Sequence, residues 1–547
     1  MPNMIVCPEP LAAQAGQSAF EKGGNAIDAA IAAGFAQGVV NPLLCGLGGT
    51  GLLYYYAANE GRRVILDFGS TAGSRPVPQS WVDEYLGRAE TVGRYIISSE
   101  ANQVGHQSIM MPGFVKGCWD AYQRFGSGRV SWSELLAPSV KLARDGFEVY
   151  PYIAAFWRVS SGGDAGDARP GYPGLMTKLN ATPDAARFYL KPDGSPYQLG
   201  DWFRQPEMAA TLERLATAGG DDFYTGQIGR GIASDFTKHD ALITTDDIRE
   251  YSVDEAEPVV GVYHGLDVTS APAPSSGANV IQMLQILEHF DLGVLRHNSP
   301  DYIDMFARAQ RATFADNVKL KCMDRLDAVD LEAEIVTAER ATYWADRIKR
   351  GDRIIVHGGA VDAGTTHLTC VDADLNVVCF THSLGSIAGS GVVTPGLGFL
   401  YNNFLGHYHP LPGYPDSITP RKRFGGGVPT IIFEDGRPRI AIGAPGGSRL
   451  ITSVVQVIVN ALDLGMDMRV AVSVPRFHSE EEQLLFLEPA FPEGTVERLR
   501  EWGNDVQRSS YMSRVQAIRI DPETLELEAG PDPRGGGGVG IYSPAQD

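Results

Sequence analysis

The texture of this chain changes at one step, VDAGTTHLTC, from Val361 to Cys370. Ahead of it, apolar residues recur mostly at helical spacing. Behind it, they alternate in short runs separated by turn residues. A chain divided in this way has to combine a helix-rich stretch with a sheet-rich one. The boundary has its own character. Arg347 to Gly364 carries four glycines, mixed charge and no long periodicity, and reads as a mobile connector feeding Thr365. Two adjacent β-branched hydroxyl residues, Thr365 and Thr366, then open a strand.

The elements on either side follow from local pattern. PLAAQAGQSAFEKGG reads as a helix ending at Gly23-Gly24, and NAIDAAIAAGFAQGVV as a second helix with Asn25 as N-cap. GLLYYYAA and RRVILDFGS read as paired strands around the turn NEGR. GLGGTG, Gly46 to Gly51, matches a dinucleotide fingerprint, but it runs from helix to strand, the reverse of what that motif needs. The middle of the chain reads as mainly helical, with APAPSSGANVIQMLQILEHFDLG as an extended Pro/Ser segment leading into a helix. After Thr365 come three hairpins, turning at DADLN, EDGR and within QAIRIDPETLELEAG, and the helix SRLITSVVQVIVNALDLG.

Bulk properties exclude several classes. The 547 residues carry 46 basic and 66 acidic side chains, a net charge of −20, which argues against nucleic acid or an anionic membrane as partner. The six cysteines show no CxxC spacing, and buried free thiols are expected, although Cys370 and Cys379 sit where a hairpin could pair them. The histidines, His407 and His409 among them, offer no third ligand at usable spacing, so no metal and no cofactor is expected. The amino terminus lacks the basic and apolar regions of a signal peptide, and no apolar run reaches the ~18 residues a spanning helix needs. A cytoplasmic protein is expected.

Three features could carry chemistry. If the chain breaks before Thr365, that residue holds both a hydroxyl and a new α-amine with a pKa of about 7.7–8, so one residue supplies nucleophile and base. Gly364 would let the backbone before the break take up strained angles. Spacing alone does not choose between Thr365 and Thr366. In IAIGAPGGSRLITSVV a strand ends, turns through Pro445-Gly446-Gly447 and opens a helix at Ser448. Backbone N–H groups at such a helix start can hold an oxyanion. Ser383, at the end of the second hairpin strand, could reach back toward Thr365.

GTTHLTCVDADLNVVCFTHSLGSIAGSGVVTPGLGFLYNNF strongly resembles the segment that starts the small subunit of γ-glutamyltranspeptidases. GGNAIDAAIAAGFAQGVVNP, MPGFVKGCWDAYQRFG, LLAPSVKLARDGF, APGGSRLITSVVQVIVNALDLGM and VPRFHSE resemble that family's motifs in the family's order. The resemblance implies an N-terminal-nucleophile hydrolase, an α+β fold with a four-layer αββα sandwich. One precursor would cleave itself into residues 1–364 and 365–547, which stay together as one interleaved domain. It implies Thr365 as nucleophile, Ser383 as the hydroxyl bonded to it, and Gly446 and Gly447 as the oxyanion pair.

The same comparison shows departures. Where the family grips a glutamyl α-carboxylate with an arginine and paired serines, this chain has Gly69, Gly425 and Gly426. The positions that hold the α-amino group fall on Gly385, Phe404 and His407. A roomier, more apolar pocket is expected, with Arg421-Lys422-Arg423 beside it as a solvated basic loop. The reading is therefore a self-processing amidohydrolase or acyltransferase acting on a small-molecule amide other than a standard γ-glutamyl donor. An authentic glutathione hydrolase, an acylase on cephalosporin-type or oxamate-type amides, and an uncleaved binding protein are the alternatives. Homo-oligomerisation is left open.

Overall fold

A computed structural model describes residues 1–89, 94–158, 172–320, 325–356 and 364–543. The chain opens with β1 (Asn3–Cys7), α1 (Pro10–Glu21) and α2 (Ala26–Val40). Asn25 caps α2 in a reciprocal box with Asp28, as its position before the apolar run predicts. The hairpin β2 (Thr50–Ala57) and β3 (Arg62–Phe68) follows. A stretch of helices includes α3 (Gln227–Lys238) and leads to β4 (Asp254–Ala256), β5 (Val259–Tyr263) and β6 (Leu266–Ser270). Helices that include α4 (Gly277–Leu287), α5 (Pro300–Leu320) and α6 (Ala338–Lys349) precede β7 (Gly364–Val371) and β8 (Val377–Gly385). Then come β9 (Thr430–Glu434), β10 (Arg437–Gly443), α7 (Arg449–Leu462), β11 (Gln516–Ile520), β12 (Leu527–Pro531) and β13 (Gly538–Tyr542).

These strands form two large sheets. One has seven strands in the order β13-β1-β7-β8-β2-β3-β4, the other six in the order β12-β11-β10-β9-β6-β5. Both sheets combine strands from before and after Gly364. The period-2 direction of strand side chains divides each sheet between two cores. Leu53, Tyr55, Leu368, Cys370, Val378 and Phe380 face a core shared with α1 and α2. Their neighbours Leu52, Tyr54, Val371, Val377 and Cys379 face Ile431, Phe433 and Ala441 of the second sheet. On the far side, Ile432, Ile440 and Ile442 pack against α4, α5 and α7. Three cores between four layers make an αββα sandwich. A one-residue slip in any strand would exchange its two faces, so the register is held from both sides.

The structure differs from the local reading in three places. The hairpin β5–β6 lies in a region read as helical; it turns at His264 and Gly265, both with positive φ. β1 and β13 close one side of the seven-stranded sheet and pair with each other, contacts no local pattern announces. The first residues of the expected connector, Arg347 to Lys349, finish α6, and its segment 357–363 lies outside the described residues. The hairpin register pairs Thr369 with Cys379 and Cys370 with Val378. The two cysteines thus face opposite cores, and the five described cysteines are buried free thiols.

Candidate active site

β7 and β8 bring Thr365 and Ser383 into direct register. Thr365 is almost buried, yet it lines a cleft between the two sheets. Its Oγ1 lies 2.9 Å from Ser383 Oγ. Ser383 Oγ donates to the Gly364 carbonyl at 2.6 Å and accepts from the Gly385 N–H at 2.9 Å. A hydroxyl has one proton and two lone pairs. With its proton on Gly364, Ser383 accepts from Thr365, and all three of its positions are used. One side chain therefore both orients the Thr365 hydroxyl and polarises the carbonyl that precedes it.

Thr366 points the other way. It is fully buried on the α2 side, and its hydroxyl donates to Glu9 at 3.0 Å. Gln37 on α2 and Asn41, the residue just past its end, donate to the same carboxylate at 2.6 and 2.7 Å. Gln37 also accepts from His382 Nε2 at 2.8 Å. Burial pushes the Glu9 carboxyl above its usual range, against these hydrogen bonds. The sequence reading passed over Glu9, which is 357 residues from Thr366; its one signal is an acidic residue between two prolines. Glu9→Ala would leave the Thr366 and Asn41 donors without this acceptor and Gln37 with only its bond to Thr366 Oγ1, at about 1–3 kcal/mol for each unsatisfied group before repacking. We expect a clear fall in Tm, measured by calorimetry, and slower appearance of processed chains.

Other groups near the strand start are electrically quiet. His367 and His382 are fully buried, and desolvation lowers both to about 3, so they are neutral hydrogen-bonding groups at ordinary pH. Gly446 and Gly447 both have positive φ, and a Cβ on Gly446 would come within 2.8 Å of Ser513 Oγ. They turn the chain into the N-terminus of α7. Gly447, Ser448 and the first turn of α7 line the cleft opposite Thr365. Gly446 does not line it.

The positions expected to contact substrate divide in the same way. Gly69, Phe404, His407, Gly425 and Gly426 line the cleft, whereas Gly385 lies beside it with its backbone against Asn403. The expected extra room is absent at two glycines. A Cβ on Gly69 would lie 2.3 Å from the Phe424 carbonyl, and one on Gly425 would lie 2.5 Å from Pro274 Cγ. Neighbouring backbone fills the space that larger side chains would need. The apolar character is present. Phe404 and His407 sit at i and i+3 of a 3₁₀ turn, on one face, and both pack on Phe424, with Phe404 stacked on it at 4.4 Å. Phe424, missed by the sequence reading, is the centre of this wall. The basic loop is only partly solvated. Arg421 pairs with Glu250 at the surface. Arg423 donates to the carbonyls of Asp67, Gly69 and Ser252 and pairs with Asp254 at 3.0 Å. Lys422 lines the cleft.

Helices on both faces of two packed sheets, with a strand-opening threonine at the cleft between the sheets, define the architecture of the N-terminal-nucleophile hydrolases. Within that class the chain belongs to the γ-glutamyltranspeptidase family, whose model matches residues 12–542. It is 33% identical to the acylase ACY 1 proenzyme of Pseudomonas sp. strain V22, over 95% of this chain and 90% of that protein. It is 31% identical to the glutathione hydrolase proenzyme of Escherichia coli K12, over 97% of this chain and 90% of that one. The crystal structure of a cephalosporin acylase from Bacillus halodurans shares the fold, with a TM-score of 0.84 at 24% identity, over 100% of this chain and 96% of that one. The chain is thus an enzyme of a family that acts on amides. Among the described residues, no helix is long and apolar enough to cross a membrane.

Proposed function

We propose that the protein is a self-processing threonine amidohydrolase or acyltransferase whose acyl donor is not a γ-glutamyl amide. The observation that carries this reading is the single hydroxyl of Ser383 bonded to both Thr365 Oγ1 and the Gly364 carbonyl. In the precursor, Thr365 Oγ1 attacks the Gly364 carbonyl carbon while Ser383 holds the carbonyl oxygen. The C–N bond breaks, the hydroxyl proton ends on the Thr365 nitrogen, and an ester links Gly364 to Oγ1. Water hydrolyses the ester and leaves a Gly364 carboxylate and a free Thr365 α-amine. In the mature enzyme the α-amine takes the Oγ1 proton as Thr365 attacks the substrate carbonyl, then gives it to the leaving amine. The backbone N–H of Gly447, which lines the cleft, stabilises the oxyanion, a donor typically worth about 3 kcal/mol of barrier. Water or an amine resolves the acyl-enzyme.

Intact mass and N-terminal sequencing test the processing step. The expected products are two associated chains, 1–364 and 365–547. A second chain that begins anywhere but Thr365, or an active chain that stays whole, overturns it. Ser383→Ala removes the polarising donor and the hydroxyl partner. It should slow both processing and turnover by about 10²-fold or more, read by gel densitometry and kcat, with the fold retained by circular dichroism.

The pH profile follows from the groups present. The Thr365 α-amine must be neutral to act, so kcat/KM should rise with pH along a limb centred near 7.7–8. The two histidines nearest the strand start remain neutral through that range. A limb centred near pH 6 would assign the base to another group.

A further inference from the structure

Among the described residues, one group of three metal-ligating side chains comes together, outside the cleft: His106, Asp235 and His239. Asp235 lies in α3 and His239 is the residue just past its end, so their i, i+4 spacing places both on one helix face. His106 comes from a 3₁₀ turn 129 residues earlier in the chain. His106 Nε2 is 3.2 Å from Asp235 Oδ2, and His239 Nδ1 is 3.0 Å from Asp235 Oδ1 and 3.0 Å from the Asp235 carbonyl. The three donor atoms all fall within 4.8 Å of one another. A tetrahedral zinc with bonds of about 2.0–2.1 Å has donor–donor edges of roughly 3.4 Å; the His106–Asp235 edge already stands near that length, while His239 lies against the other carboxylate oxygen.

The surroundings resemble the outer shell of a metal site. Thr394 Oγ1 donates to Asp235 Oδ2 at 2.7 Å. Its one proton is thereby used, so it accepts from Tyr401 OH at 2.9 Å. This chain fixes the carboxylate, as outer-shell partners do for metal ligands. The two imidazoles are stacked with centroids 4.3 Å apart, so the more exposed ring, His239, has to swing out of the stack to bring both lone pairs to one point. His106 and Asp235 are almost buried, while the His239 side chain is 40% exposed. The ligand set therefore has one side open to solvent, where a water can complete four-coordination.

We propose that His106, Asp235 and His239 bind one zinc ion, with water as the fourth ligand. The ion would clamp the turn at His106 to the end of α3. Thr394 and the Gly105 N–H bond to the Ser390 carbonyl extend that clamp to the loop that follows β8. Asn403, farther along this loop, accepts from Ser386 N–H and hydroxyl just beyond the end of β8. The zinc is thus a structural brace for one wall of the catalytic cleft, independent of how the cleft is used.

The test uses full-length protein without a histidine tag, dialysed against EDTA and desalted. Zn²⁺ is then titrated by calorimetry, and retained metal is counted by mass spectrometry. We expect about one equivalent, a raised Tm, and tetrahedral visible bands when Co²⁺ replaces Zn²⁺. His239→Ala and His106→Asn should each weaken binding by more than about tenfold. Thr394→Val keeps all three ligands and should also weaken binding, which guards against a ligand variant that misfolds. Substoichiometric binding by the wild type, or undiminished binding by the His106→Ala/His239→Ala double variant, overturns the proposal and leaves the cluster as a histidine–carboxylate ion pair.

Discussion

Thr365→Ala should leave the chain whole and without turnover. The substitution removes the hydroxyl that attacks Gly364 in the precursor and the substrate in the mature enzyme. Loss of a covalent nucleophile costs on the order of 10⁶ in kcat, about 8 kcal/mol of barrier. Thr366→Val is the control, because it keeps the β-branched shape and removes only a hydroxyl. That hydroxyl faces Glu9 on the opposite side of β7. Its loss should cost about 1 kcal/mol of stability and leave kcat within roughly tenfold. Electrophoresis of the two purified variants reads processing, and an amide hydrolysis assay reads turnover. If Thr366→Val is whole and inactive while Thr365→Ala is processed, the nucleophile is the residue on the α2 side and the proposed mechanism fails.

The second large effect concerns the acyl group. A γ-glutamyl donor brings an α-carboxylate and an α-ammonium into the cleft. Gly69, Gly425 and Gly426 offer them no side chain, and the packed backbone around Gly69 and Gly425 leaves no volume for one to be added. Arg423 is already committed to three carbonyls and to Asp254. Lys422 at the cleft offers a point charge rather than a bidentate fork, and charges left without a matched partner in a partly desolvated site cost several kcal/mol. The wall of Phe404, Phe424 and His407 favours instead a flat apolar acyl group, with aromatic pairing worth about 0.5–1.5 kcal/mol beyond buried area. We expect kcat/KM for a phenylacetyl anilide to exceed that for a γ-glutamyl anilide by roughly 10³–10⁴ on the same processed preparation. Phe424→Ala should raise KM for the phenylacetyl compound about tenfold with little change in kcat. A γ-glutamyl anilide that wins the comparison would instead assign the protein to glutathione hydrolysis.

Much of this was open to a reader of the sequence. Alternating runs and turn residues specify the β2–β3, β7–β8, β9–β10 and β11–β12 hairpins, because strand direction and turn geometry are local properties. The 18-residue spacing of Thr365 and Ser383 across one hairpin follows from the same pattern, and so does the turn from β10 into α7. Resemblance to a family points to Thr365 rather than to its neighbour.

The remainder depends on groups that meet only after packing. Which threonine faces the cleft is decided by which side of β7 lies against α2, and Glu9 secures that choice from the far end of the chain. Gly69 and Gly425 read as open space in a linear sequence. In the folded molecule they are points of close approach, because the segments at Pro274 and Phe424 come within van der Waals reach of their α-carbons. The aromatic wall and the His106–Asp235–His239 cluster have the same origin. Local sequence sets the direction in which a side chain leaves its strand or helix. What waits at the other end of it is set by the packing of four layers, whose contacts span hundreds of residues and leave no periodic trace.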